Sequence, residues 1–283
     1  MSPSPDMESH TVVGSGRTEL RVDAAGPPDA PTILLVHGYS QSRLCWYEQF
    51  DGTLTEDFRL IAPDLRGHGD SDKPTGSDRY RDPGRWAADL GAVIDELATD
   101  DPVLVGWSYG GLVVADYLAV EGTDDVAGVV FVGAITEKGT DAAADVAGEE
   151  FAAMLGDLET RDAEASVDAL GRFLDICTAE PVPPRERHLM LGYNARCPPR
   201  VREALQARTG ANAETLRDLD VPALFAHGSA DRVVLSRAAR RHADLVPDGE
   251  VSIYEGVGHS PFLEAPERFD RELREFVRRV VGE

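Results

Sequence analysis

The 283-residue chain predicts an α/β fold: a mostly parallel, doubly wound, eight-stranded sheet interrupted by a helical insertion. Three observations carry this. Short continuous apolar runs such as "TILLVHG" (residues 32–38) and "PVLVGWS" (102–108) read as strands buried on both faces. Segments with apolar residues at helical spacing alternate with those runs. From about 136 to 219 the apolar runs stop, and alanine-rich helical text broken by "PVPPRER" and "CPPR" takes over.

The elements follow in order. Residues 1–10 are polar, without the basic-then-apolar pattern of an export signal, and are expected to form a disordered lead-in. "TVVGSG" and "TELRVDA" read as a hairpin turning around Gly14 to Arg17. The runs at 32–38 and 58–65 are the next strands. A helix over 82–100 has Asp82 as N-cap, Pro83 in the first turn, and a stripe of Trp86, Leu90, Val93, Ile94 and Leu97. The strand at 103–105 leads into a helix closed by Gly122, and 126–135 is a further strand. After the insertion come a strand ("VPALFAHGSAD"), a helix (236–246), a strand ("EVSIYEGVGH") and a terminal helix. That last helix gathers Phe269, Leu273, Phe276, Val277 and Val280 on one face. The core is thus expected over 11–135 and 220–283, with the helical insertion at 136–219. Joining two strands, the insertion should sit over their carboxyl ends, where open α/β sheets bind ligands.

Bulk composition excludes several functions. The formal charge of −23 repels nucleic-acid phosphates and anionic membranes, so neither is an expected partner. No stretch approaches the roughly 18 consecutive apolar residues of a membrane span. Cys45, Cys177 and Cys197 fit neither a disulfide framework nor a zinc site, and read as reduced thiols in a cytoplasmic protein. Lysine occurs only at Lys73 and Lys138, which suits either a salt-rich cytoplasm or a GC-rich genome. The expected partner is a small-molecule substrate, bound by a monomer or a homodimer.

The chemistry centres on "VGWSYGG" (105–111). Gly-x-Ser-x-Gly between a strand and a helix forces Ser108 into a strained turn that projects its hydroxyl from the sheet. Gly106 and Gly110 are required where a side chain would strike the neighbouring backbone. A serine hydroxyl needs a base. His259, at a strand end between Gly258 and Ser260, is the best placed of seven histidines. His37, His68 and His227 read as turn-stabilising or too early in order, and His10, His188 and His242 lack a strand-end context. The base needs an orienting carboxylate. Asp231, ending "FAHGSAD", fits by position and order, with Glu137 as the rival. An oxyanion would be held by the amide of Tyr109 and, from the loop at Gly38, the amide of Tyr39. Gly38, Trp107 and Phe262 are expected at the substrate pocket. Phe151, Met154, Leu155, Leu158, Phe173, Leu174, Leu189, Met190 and Tyr193 of the insertion are pocket lining or plain core.

Taken together, "LLVHGYSQSRLCW", "APDLRGHGDSDKP", "VGWSYGG", "HGSADRVV" and "EGVGHSPFLEAPERF" resemble the α/β-hydrolase family. The resemblance implies a Ser108–His259–Asp231 triad, an oxyanion hole at Tyr39 and Tyr109, a helical cap at 136–219, and neither metal nor organic cofactor. A serine nucleophile argues against the dehalogenases and epoxide hydrolases that use aspartate. The absence of "HGGG" argues against lipase-like members. "HGYSQSRLCW" is similar to the oxyanion loop of cofactor-free haloperoxidases and perhydrolases, though without the proline often found there. The implied activity is ester hydrolysis through an acyl-enzyme. Perhydrolysis, lactone hydrolysis, carbon–carbon bond hydrolysis and a non-catalytic binding role on the same fold remain as alternatives.

Overall fold

The computed structural model describes residues 7–98 and 101–282. Its strands are β1 (Glu8–Val13), β2 (Glu19–Ala25), β3 (Thr32–Val36), β4 (Arg59–Pro63), β5 (Val103–Trp107), β6 (Gly128–Val132), β7 (Glu137–Lys138), β8 (Gly210–Ala211), β9 (Ala223–Gly228) and β10 (Gly249–Tyr254). One eight-stranded sheet has the order β1–β2–β4–β3–β5–β6–β9–β10. The β1–β2 and β2–β4 pairs are antiparallel, and every later pair is parallel.

Helices before the insertion are α1 (Tyr47–Asp51), α2 (Leu54–Asp57), α3 (Asp78–Arg81), α4 (Pro83–Leu97) and α5 (Tyr109–Glu121). The insertion carries α6 (Asp141–Val146), α7 (Glu149–Leu158), α8 (Ala163–Ile176), α9 (Pro184–Ala195), α10 (Pro199–Gln206) and α11 (Ala213–Arg217). Then follow α12 (Arg237–Ala243), α13 (Pro261–Glu264) and α14 (Pro266–Val281). Among the described residues no helix is long and apolar enough to cross a membrane.

Strand side chains alternate between the two faces of the sheet, and this divides the core in two. Leu34 and Val36 of β3 join a cluster with Trp86, Leu90 and Val93 of α4 and Leu112 of α5. Ile33 and Leu35 join Trp46, Phe50, Phe269 and Leu273 on the other face. The α14 stripe therefore buries as the sequence pattern requires, at roughly 1.5–3 kcal/mol for each large apolar side chain. Asp82 caps α4 by accepting the Gly84 N–H at 3.0 Å.

Three details depart from expectation. Residues 8–10, expected in the disordered lead-in, belong to β1 and pair with 22–24 of β2; residues 1–6 lie outside the described residues. Backbone pairing outweighs their polar composition here, and Arg59 adds an ion pair to Glu8 at 2.7 Å. The strand expected over 126–135 is confined to β6 because Gly133 takes φ +49 and turns the chain. The insertion, expected to be helical throughout, is closed at its neck by an antiparallel β7–β8 ladder (Glu137 with Ala211, Lys138 with Gly210). Two residues per strand are too few to show period-two patterning.

Candidate active site

Ser108 occupies the turn between β5 and α5 with φ 54 and ψ −119, a conformation that costs a non-glycine residue about 1–3 kcal/mol. The surroundings impose it. The Ser108 N–H donates to the Val132 carbonyl at 2.9 Å, and its own carbonyl accepts from Gly111 (3.0 Å) and Ile135 (3.2 Å). A Cβ on Gly110 would lie 2.3 Å from the Val36 carbonyl oxygen, and one on Gly106 would lie 2.8 Å from the Gly111 Cα. Backbone fills both places, so only glycine lets α5 approach the sheet this closely. Gly38 is equally near: a Cβ there would sit 3.0 Å from the Ser108 Cβ.

Asp231 follows β9, and its carboxylate is fully engaged. Oδ1 accepts the N–H groups of Val233 (2.8 Å) and Val234 (3.0 Å), while Oδ2 lies 2.7 Å from His259 Nδ1. Burial by itself would raise this carboxyl, but the two neighbouring histidines, His259 and His227, more than reverse that and hold it below the usual carboxylate range. With Nδ1–H directed at Asp231, Nε2 of His259 is left as the basic nitrogen. The sequence rival Glu137 lies in β7 at the neck of the insertion.

His259 is held on further sides. Its carbonyl accepts the Trp107 indole N–H at 2.9 Å. The amides of its two neighbours, Gly258 and Ser260, donate to Glu264 at 3.0 and 3.2 Å, and the same carboxylate takes the Ala179 N–H at 2.6 Å. Burial raises the Glu264 carboxyl, against these three amide donors.

Tyr109 is the first residue of α5, where helix N–H groups have no partner within the helix. Tyr39 follows Gly38 in the loop after β3. His37 braces that loop: its Nε2 accepts the Leu65 N–H at 3.0 Å, so Nδ1 carries the proton and donates to the Gly38 carbonyl at 2.9 Å. Ser40 takes φ +61, and its hydroxyl donates to the Asn194 carbonyl of α9 at 3.2 Å.

Comparison with known proteins places this geometry in a lineage. The model of the "Alpha/beta hydrolase family" matches residues 33–272. The chain belongs to the alpha/beta hydrolase family. The structure of the esterase RhEst1 from Rhodococcus sp. ECU1013 is 38% identical, with a TM-score of 0.88 over 95% of this chain and 98% of that one. A putative aryl esterase from Burkholderia cenocepacia is 34% identical, with a TM-score of 0.91 over 98% and 100%. The bifunctional esterase/perhydrolase DCH of Acinetobacter calcoaceticus is 30% identical over 89% of this chain and 94% of its own length.

In this hydrolase, Trp107 and Phe262, expected on the pocket wall, are buried in the core beneath His259, their rings 4.9 Å apart and packed with Trp46. The Tyr39 ring stands edge-on to Phe151 (6.3 Å) and Phe173 (6.1 Å) of the insertion. Met154, Leu158, Leu174, Met190 and Tyr193 are buried, whereas Leu189 faces solvent at 38% exposure.

Sequence reasoning missed four residues. Glu264 was one of 51 acids, and only its place in α13, a turn after His259, could have singled it out. Arg208, fully buried, pairs with Asp116 of α5 and donates to the Tyr109 hydroxyl at 3.2 Å. Asn194 binds both Ser40 and, at 3.2 Å, Gln41. His227 lies against Asp231. No local pattern marks Arg208 or Asn194, whereas His227 stands four residues before Asp231 in "HGSAD" and reads there only as turn-stabilising.

Proposed function

We propose that this hydrolase cleaves small carboxylic esters through a serine acyl-enzyme. The carrying observations are the Asp231 Oδ2–His259 Nδ1 contact of 2.7 Å and a serine held at positive φ in the turn after β5. The Ser108 Oγ attacks the ester carbonyl while its proton passes to His259 Nε2. The amides of Tyr39 and Tyr109 stabilise the resulting oxyanion. The carbon–oxygen bond to the alcohol then breaks, the alcohol leaves with the proton from His259, and an acyl-Ser108 ester remains. Water, deprotonated by His259, attacks that ester; the acyl–Oγ bond breaks, the acid departs, and His259 passes its proton to Ser108 Oγ. Asp231 fixes the imidazole tautomer and balances the transient imidazolium.

The test is Ser108→Ala, assayed on a p-nitrophenyl ester series and with a fluorophosphonate label. Turnover falls by at least about 10⁴-fold and labelling disappears; retention of most of the activity in a clean preparation refutes the assignment. A second reading is favoured by the likeness to an esterase/perhydrolase. Hydrogen peroxide replaces water at deacylation and a peracid leaves, which a peroxide-dependent halogenation assay detects. Location in the cytoplasm is supported by three buried, unbridged cysteines.

A further inference from the structure

Asp231 serves two histidines. His227, in β9, places Nε2 2.8 Å from the Val234 carbonyl and 3.0 Å from Asp231 Oδ2, the same oxygen that receives His259. Both neighbours of His227 Nε2 are acceptors. A lone pair there would face two oxygens, so Nε2 carries a proton. The side chain is 1% exposed; the Val234 carbonyl accepts at 2.8 Å and Asp231 Oδ2 lies 3.0 Å from the same nitrogen.

We propose that His227 is a positioning residue that moderates the base: by sharing Asp231 Oδ2, it limits how strongly that carboxylate can stabilise a protonated His259. The inference rests on the triad reading above. Its physics is competition for one oxygen. Each donor at Oδ2 withdraws negative charge from the other. With His227 present, Asp231 is a weaker acceptor toward the His259 Nδ1–H, and His259 gives up its Nε2 proton more readily. Without it, the imidazolium is held more firmly and the base is blocked at higher pH.

Other charged or titratable groups face this cluster. The Cys177 thiol at the end of α8 lies within the field of Asp231, Glu264, Arg232 and Asp175, Glu264 of α13 lies within that of His259, and His242 of α12 within that of His227. Among the described residues, the nitrogens closest to Oδ2 are those of His227 and His259.

The test compares His227→Phe with His227→Gln in the pH dependence of kcat/KM for a p-nitrophenyl ester. His227→Phe removes the donor and keeps a ring. The acid limb of its profile should move to higher pH by roughly half a unit to one unit, the size expected from one lost hydrogen bond. His227→Gln returns an N–H to about the Nε2 position, so its limb should stay with the parent. An unmoved limb in His227→Phe overturns the proposal and leaves His227 as a support for the Val234 carbonyl. Equal shifts in both variants also overturn it. Should His227→Phe fail to fold, His227→Leu, which also lacks the donor, takes its place with the same two outcomes; in the intact hydrolase an Nδ1–H tautomer at His227 in long-range ¹H–¹⁵N spectra refutes the proposal. Failure of the triad reading is separate, since it appears as Ser108→Ala retaining activity.

Discussion

Acid should destabilise this hydrolase through its buried neutral histidines. Burial lowers His37 from 6.5 to about 4, His68 to about 3 and His242 to about 4. A histidine lowered in the folded state binds fewer protons there than in the unfolded chain. Its stabilising contribution is therefore present above pH 6.5 and is lost as the pH falls from 6.5 towards the folded values. Between pH 7 and 5.5 each of the three loses about 1.2 kcal/mol, about 4 kcal/mol together, against a typical total of about 5–15 kcal/mol. Burial raises Asp89, Glu264 and Asp270, and these carboxyls act in the opposite sense. A single-site difference isolates the histidine effect. His68 Nδ1 lies 3.0 Å from the Arg66 carbonyl, and in His68→Asn the amide can make the same bond without titrating. Urea unfolding at pH 7 and 5.5 should show the variant losing about 1.2 kcal/mol less than the parent. The same pH dependence in both proteins would falsify the claim that His68 is folded in the neutral form.

Three further outcomes are expected. Gly38→Ala puts a methyl 3.0 Å from the Ser108 Cβ and should slow fluorophosphonate labelling at least about tenfold with little change in urea midpoint, because the crowding falls on the oxyanion region; unchanged labelling counts against that placement. Arg208→Met leaves Asp116 buried and unpaired and should cost about 3–5 kcal/mol in unfolding free energy; a loss under 1 kcal/mol contradicts the buried pair. Glu264→Gln weakens the acceptor for the Gly258 and Ser260 amides and should lower kcat more than it raises KM in ester hydrolysis; a pure KM effect would show that Glu264 does not act through His259.

What was readable in the sequence is what is local. β5, the turn at Ser108 and α5 form one continuous stretch, so the glycines and the strand–helix change can be read together. Asp231 and His259 each end a strand, and a parallel sheet brings successive strand ends to one edge; that is why order along the chain located them. The partners that hold the site come from far away. Arg208 reaches Tyr109 across 99 positions, and Asn194 reaches Ser40 across 154. Arginine and asparagine carry no periodic signal, and a chain with 51 acids hides one more carboxylate such as Glu264. Trp107 could line the pocket or wedge the turn as far as its place in the sequence goes. Its place beside Ser108 suggests a pocket wall, yet its side chain turns into the core under His259. Adjacency in sequence says nothing about which face of the sheet a side chain joins until the register is known.

The contacts of the insertion decide how it can move. Each segment that bears a candidate site residue is bonded to it, mostly through groups that are wholly or partly buried. Asn194 holds Ser40 and Gln41 after β3, and Arg208 holds Tyr109 and Asp116 of α5. The Cys177 carbonyl accepts the Ser260 hydroxyl at 3.0 Å, and the Ala179 N–H binds Glu264, both beside His259. Arg232, next to Asp231, donates to the carbonyls of Asp175 and Thr178. Lifting the insertion as one body would break all of these together. Each such bond contributes about 0.5–1.5 kcal/mol, more where a charged group takes part, and lifting the insertion would also expose the apolar surface packed beneath it. Such an opening would approach the whole stability of a domain, at about 5–15 kcal/mol. Substrate entry therefore requires smaller motions, of single side chains or of one helix such as α7, whose inward residues Phe151 and Met154 pack in the cluster that contains Tyr39.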